Sequence, residues 1–154
     1  MKREPPIRVL VIDDSAANRR EISAVLESAP GITVVDRASD GDEGLQKAVA
    51  LKPDVVTLDL EMPRLDGFTF LRLLKATART PVIVLSSYAH PSDVFKALEL
   101  GAFDFVPKPA ERGKKAMEGM WAELIAKVRS VRELTPEVAA RPSRPILPPP
   151  SPAQ

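Results

Sequence analysis

The sequence predicts an α/β protein built on a doubly wound, five-stranded parallel sheet with helices on both faces. Three observations carry this. Short apolar runs rich in Val, Ile and Leu recur at 7–13 (IRVLVID), 32–38 (ITVVDRA), 55–60 (VVTLDL), 82–87 (VIVLSS) and 103–108 (FDFVPK). Segments with helical apolar spacing fill the gaps, and strands alternating with helices imply right-handed crossovers and parallel pairing. No G-x-G-x-x-G turn follows the first run, which favours the flavodoxin-like order 2-1-3-4-5 over a dinucleotide-binding sheet.

The first, third and fourth runs are nearly continuous in apolar character, as strands covered on both faces are. The second and fifth are more mixed and suit the edges. Asp14 and Ser15 are candidate caps for a first helix carrying Ile22, Val25, Leu26 and Ala29, stopped by Pro30-Gly31. Asp40 precedes Leu45, Ala48 and Val49 in a second helix that ends near Pro53. Gly67 precedes Phe70, Leu71 and Leu74. Ser92 precedes Val94, Ala97, Leu98 and Gly101. In the last helix Met117, Trp121, Leu124, Val128 and Val131 form a stripe expected to pack on the sheet or, in part, to meet a partner or a second copy in a homodimer.

A chain of 154 residues suits one globular domain. Its net charge of +1 does not argue for nucleic acid, and with no cysteine it has neither disulfides nor thiolate chemistry. The charged start MKREPPIRV is no signal peptide, and no apolar run approaches the ~20 residues that cross a bilayer. The expectation is a cytoplasmic protein with no membrane contact. Proline is the unusual residue: seven of 16 lie between Pro136 and Pro152. Residues 1–6 are read as an extension, 7–132 as the domain, and 133–154 as a Pro-rich linker or disordered tail.

In such a sheet the site lies beyond the carboxyl ends of the central strands. Asp13 and Asp14 end the first strand, Asp59 the third, Ser86 and Ser87 the fourth, Lys108 and Pro109 the fifth. Each has an ordinary structural use as a cap, a turn residue, a solvated lysine or a core hydroxyl. Their common placement on one edge selects the site reading. Three carboxylates in one cleft repel unless a cation neutralises them, and a hard divalent ion such as Mg²⁺ takes oxygen ligands of this kind. An ionised Asp59 beside Mg²⁺ and Lys108 is equipped to attack phosphorus and form an aspartyl phosphate, with Ser86 donating a hydrogen bond to the phosphoryl group.

VLVIDDS, DVVTLDLEMPRLDG, PVIVLSS and GAFDFVPKP, in this order over about 7–132, resemble the receiver domain of two-component response regulators. The resemblance implies that a sensor histidine kinase phosphorylates Asp59, and that Asp14 binds Mg²⁺ directly, Asp13 through water and Glu61 by its backbone carbonyl. It implies that Ser86, Lys108 and the aromatic Phe105 bind the phosphoryl group and switch the surface, that Glu61 and Tyr88 tune dephosphorylation, and that the Lys108–Pro109 bond is cis. Phe105 has no hydroxyl, so its switching is expected to rest on packing alone.

LDLEMPRLDG, the paired serines and ALELGAFDFVPKP are similar to the receiver of the chemotaxis protein-glutamate methylesterase, whose Pro-rich linker leads to an esterase domain. No G-x-S-x-G turn occurs here and the one histidine is His90. The expectation is a regulator of a methylesterase domain in cis that this chain lacks, with a stand-alone or DNA-binding response regulator as alternative. A haloacid-dehalogenase-type phosphotransferase also uses Asp and Mg²⁺ but carries D-x-D, where Asp13 and Asp14 are adjacent. Lys114, Lys115, Lys127, Arg129 and Arg132 read as the polar side of the last helix.

Overall fold

The computed structural model describes residues 5–60, 67–87, 91–110 and 113–133. The elements run β1 (Ile7–Ile12), α1 (Ala16–Ser28), β2 (Ile32–Ala38), α2 (Gly41–Leu51), β3 (Val55–Asp59), α3 (Gly67–Thr77), β4 (Val82–Ser87), α4 (Pro91–Glu99), β5 (Asp104–Lys108) and α5 (Lys114–Ser130), followed by a 3₁₀ turn (Val131–Glu133). The strands are parallel in the order β2-β1-β3-β4-β5. All five β3 residues are buried, whereas β2 and β5 are half-buried at the edges, as their mixed composition predicts.

Alternate residues of each strand supply two cores, because side chains alternate across a pleated sheet. Val9, Val11, Val55, Ile83, Leu85 and Val106 meet Ile22 and Leu26 of α1 and Met120, Leu124 and Val128 of α5. Leu10, Ile12, Val56, Leu58, Val82 and Val84 meet Ala48 of α2, Phe70, Leu71 and Leu74 of α3, and Ala97 of α4. In β2 one residue is inserted: Val9 faces Val34 while Leu10 faces Asp36. This bulge moves Ala38 from the first face to the second.

Helix boundaries follow the caps. Ser15 Oγ accepts from Asn18 N–H at 3.2 Å, so Ser15 rather than Asp14 caps α1. Asp40 Oδ1 accepts from Glu43 N–H at 2.8 Å at the start of α2, and Lys52 ends that helix with φ of 50°. Two expectations about the helices change. Leu98 is exposed together with Phe95, since only Ala97 of the expected α4 residues is buried against the sheet. In α5, Met120, absent from the predicted stripe, is buried while Met117 and Trp121 are half-buried; the inward line is Met120, Leu124 and Val128, one contact every four residues. No peptide bond among the described residues is cis, so Lys108–Pro109 is trans, against the expectation. No helix among them is long and apolar enough to cross a membrane.

Candidate functional site

A cavity of about 240 Å³ opens at the carboxyl ends of β1, β3, β4 and β5, between α1 and α5. Asp13, Asp59, Ser87 and Lys108 line its polar end, and Ile22, Leu85, Met117, Met120 and Trp121 its apolar wall. Asp59 continues the Val55 and Thr57 side of β3 and is only 4% exposed. Both its oxygens accept from Lys108 Nζ, Oδ1 at 2.8 Å and Oδ2 at 2.9 Å. An ammonium held on both oxygens is what makes a buried carboxylate tolerable at a strand end.

Asp13 is 1% exposed and extends the Val9 and Val11 side of β1, which brings it to the face of Asp59. Its Oδ1 accepts from Ser15 N–H at 2.9 Å, and Arg19 donates to its backbone carbonyl at 2.6 Å. Oδ2 has no hydrogen-bond partner among the described residues. Burial pushes this carboxyl up to about 6, Asp59 pushes it further the same way, and the Ser15 N–H and Lys108 only partly offset the rise.

The expected cluster of three acid side chains is not what the described residues assemble: no three His, Cys, Asp or Glu among them converge on a metal position. Asp13 and Asp59 meet in the cavity, and Asp14, at the turn, does not line it. Asp14 is half-buried in the bend that follows β1. Two buried carboxylates, one with an orphaned oxygen, still form an all-oxygen donor set that fits a hard divalent cation. Glu61, expected to add a carbonyl, and Tyr88 lie outside the described residues.

Alternation along a strand divides the two serines. Ser86 follows Val82 and Val84 onto the second face; it is buried and its Oγ has no partner among the described residues. Ser87 follows Ile83 and Leu85, lines the cavity and pairs in register with Lys108. Ser87 was legible from its parity with Leu85, whereas Asn18 and Trp121, also on the cavity wall, carry no local signal. Phe105 is half-buried against the second core, with Lys127 Nζ 5.2 Å from its ring centroid. A cation therefore adds to packing at this ring, which the sequence reading did not foresee.

The sequence matches the response regulator receiver domain family over residues 9–117. It is 65% identical over 136 residues to protein-glutamate methylesterase/protein-glutamine glutaminase 1 of Myxococcus xanthus, covering 88% of this chain and 39% of that protein. To the enzyme numbered 6 from Anaeromyxobacter dehalogenans it is 53% identical, covering 84% of this chain and 37% of that protein. The chain thus spans about two fifths of the length of these relatives. Among solved structures, the response regulator domain of Thermotoga maritima CheB superposes with a TM-score of 0.76 at 40% identity, covering 85% of this chain and 99% of that one. The CheX–CheY–BeF3–Mg complex of Borrelia burgdorferi contains a chain with a TM-score of 0.67 at 30% identity, covering 83% of this chain and 90% of its own.

Proposed function

The chain belongs to the response regulator receiver family, and we propose that it acts as a phosphorylation switch whose acceptor is Asp59 and whose donor is a sensor histidine kinase. The observation that carries this reading is the buried Asp59 carboxylate, held on both oxygens by Lys108 and faced by Asp13. One Asp59 oxygen forms the new O–P bond as the N–P bond of a phosphohistidine breaks. The bonding pair stays with the imidazole nitrogen, which takes a proton. Lys108, already in the cavity, follows the charge onto the phosphoryl oxygens. Mg²⁺ would be held by Asp13 and Asp59, with Asp14 and the Glu61 carbonyl as the further ligands the family resemblance implies, and would supply further positive charge to those oxygens.

Ser86 carries the signal outward. Its buried hydroxyl, without a partner among the described residues, gains an acceptor when a phosphoryl group arrives. In register Val84 faces Phe105 and Ser86 faces Pro107, so Phe105 and Ser86 share one sheet face on adjacent strands. A Ser86 side chain drawn to the phosphoryl group leaves space there that the Phe105 ring can fill. Glu61 and Tyr88 tune the lifetime of the phosphate. In the cell the switched surface governs a protein-glutamate methylesterase domain in cis, as its relatives' names suggest, with residues 133–154 as the linker to it.

Acetyl phosphate with Mg²⁺ tests the acceptor. Mass spectrometry is expected to find one phosphoryl group on the wild-type chain, at Asp59, and none on Asp59→Asn. Equal modification of both would overturn the assignment.

A further inference from the structure

Outside the acid cavity, the outer edge of β5 carries a cluster that phosphoryl transfer does not use. β5 ends the sheet. Both backbone groups of Phe105 are taken there by side chains: its N–H donates to Asp104 Oδ1 at 2.8 Å, and its carbonyl accepts from Lys127 Nζ. Lys127 Nζ also lies 3.4 Å from Asp104 Oδ1 and 2.8 Å from Glu123 Oε2. These two carboxylates aim the ammonium, which sits 5.2 Å from the centroid of the Phe105 ring. Burial works against the charge of Lys127, but its bond to Glu123 and the charge of Asp104 outweigh that, so it stays an ammonium through neutral pH.

The helix that supplies Lys127 packs on the other face of the sheet, with Leu124 and Val128 in the first core, whereas Phe105 packs on the second. Lys127 therefore reaches around the rim, and the ring stands at the rim to meet it. A cation over an aromatic face is attractive, more so where water is partly excluded. A contact made in one rotamer and lost in the other biases the equilibrium between them.

We propose that Lys127 is a positioning residue of the switch: its ammonium latches the Phe105 ring at the rim of the sheet while Asp59 is unmodified, and the latch opens when the ring follows Ser86 inward. This rests on the switch reading of Ser86 and Phe105 above. Lys127 does for a phenylalanine what a hydroxyl hydrogen bond would do for a tyrosine. The same contacts also cap an open strand edge, so the test needs a readout that edge capping alone does not move.

The experiment compares the wild type with Lys127→Met, which keeps the length and loses the charge, and Lys127→Arg, which keeps the cation. Aromatic NMR shifts of Phe105 are recorded with and without beryllium fluoride and Mg²⁺. In the ligand-free Lys127→Met chain these resonances are expected to lie part-way toward the fluoride-bound wild-type position. The beryllium fluoride midpoint is expected to fall about 3- to 10-fold. Lys127→Arg is expected to stay with the wild type in both. If the wild type responds and Lys127→Met matches it in shifts and midpoint, the latch is overturned, even if the variant unfolds more readily. If Phe105 of the wild type ignores the fluoride complex, the switch reading falls and takes the latch with it.

Discussion

Asp13 and Asp59 share one cavity but are neutralised by different means, and that difference makes each testable. Asp59 has Lys108 on both oxygens. Lys108→Ala leaves that carboxylate buried and without its main counter-charge, so it is expected to cost about 1–3 kcal/mol at neutral pH in denaturant titrations. It is also expected to abolish the movement of Phe105 resonances on phosphorylation. Asp13 has one oxygen without a partner among the described residues and a carboxyl raised from 3.8 to about 6. Well below pH 3.8 it is protonated whether folded or unfolded and costs nothing. Between 4 and 6 the folded chain keeps the proton that the unfolded chain releases, so stability falls as pH rises, and above 6 the full cost applies. Without divalent ions, Asp13→Asn is therefore expected to stabilise the fold by about 1–3 kcal/mol at about pH 8 and by nearly nothing at about pH 3. Added Mg²⁺ should stabilise the wild type at pH 8 more than this variant.

Among the elements, α2 shows how far local sequence carries. Asp40, which precedes its apolar positions in the sequence, caps it through Glu43 N–H, and Asp40→Ala is expected to cost about 1 kcal/mol in thermal or chemical unfolding. The second half of this start was not readable: Glu43 Oε1 reaches back to Ser39 N–H at 2.8 Å, and Lys47 holds the other oxygen at 2.9 Å. The Ser39 N–H first, then Lys47, lowers the Glu43 carboxyl from 4.5 to about 2. This carboxylate thus contributes stability above pH 4.5 that is lost as pH falls toward 2. Glu43→Gln is expected to lower the melting temperature near neutrality and to match the wild type near pH 2. The strands were legible because continuous apolar runs mark doubly covered strands, and β2 and β5 betrayed their edge positions by mixed composition. Leu98 and Met120 were misjudged because a helical stripe fixes a face only to within one residue. The packing partner decides which residue of the pair turns inward.

For the molecule as a whole, one cavity joins the ends of four strands, so a ligand there ties β1, β3, β4 and β5 together. Saturating beryllium fluoride with Mg²⁺ is expected to raise the unfolding free energy by about 2–4 kcal/mol. Asp59→Asn should show no such rise, and a wild type that gains nothing would separate this cavity from phosphoryl binding. The order of the sheet, and that Asp59 and Lys108 stand at one edge of it, followed from the amino acids, because burial periodicity and strand-end placement are local properties. Which of Asp13 and Asp14 enters the cavity, which of Ser86 and Ser87 lines it, and that Lys127 crosses the rim to Phe105 emerged only in three dimensions. Neighbouring residues of like chemistry are indistinguishable along a chain; what tells them apart is the alternation of a twisted sheet, fixed by the helices packed on its two faces, and, for Asp14, the bend that follows β1.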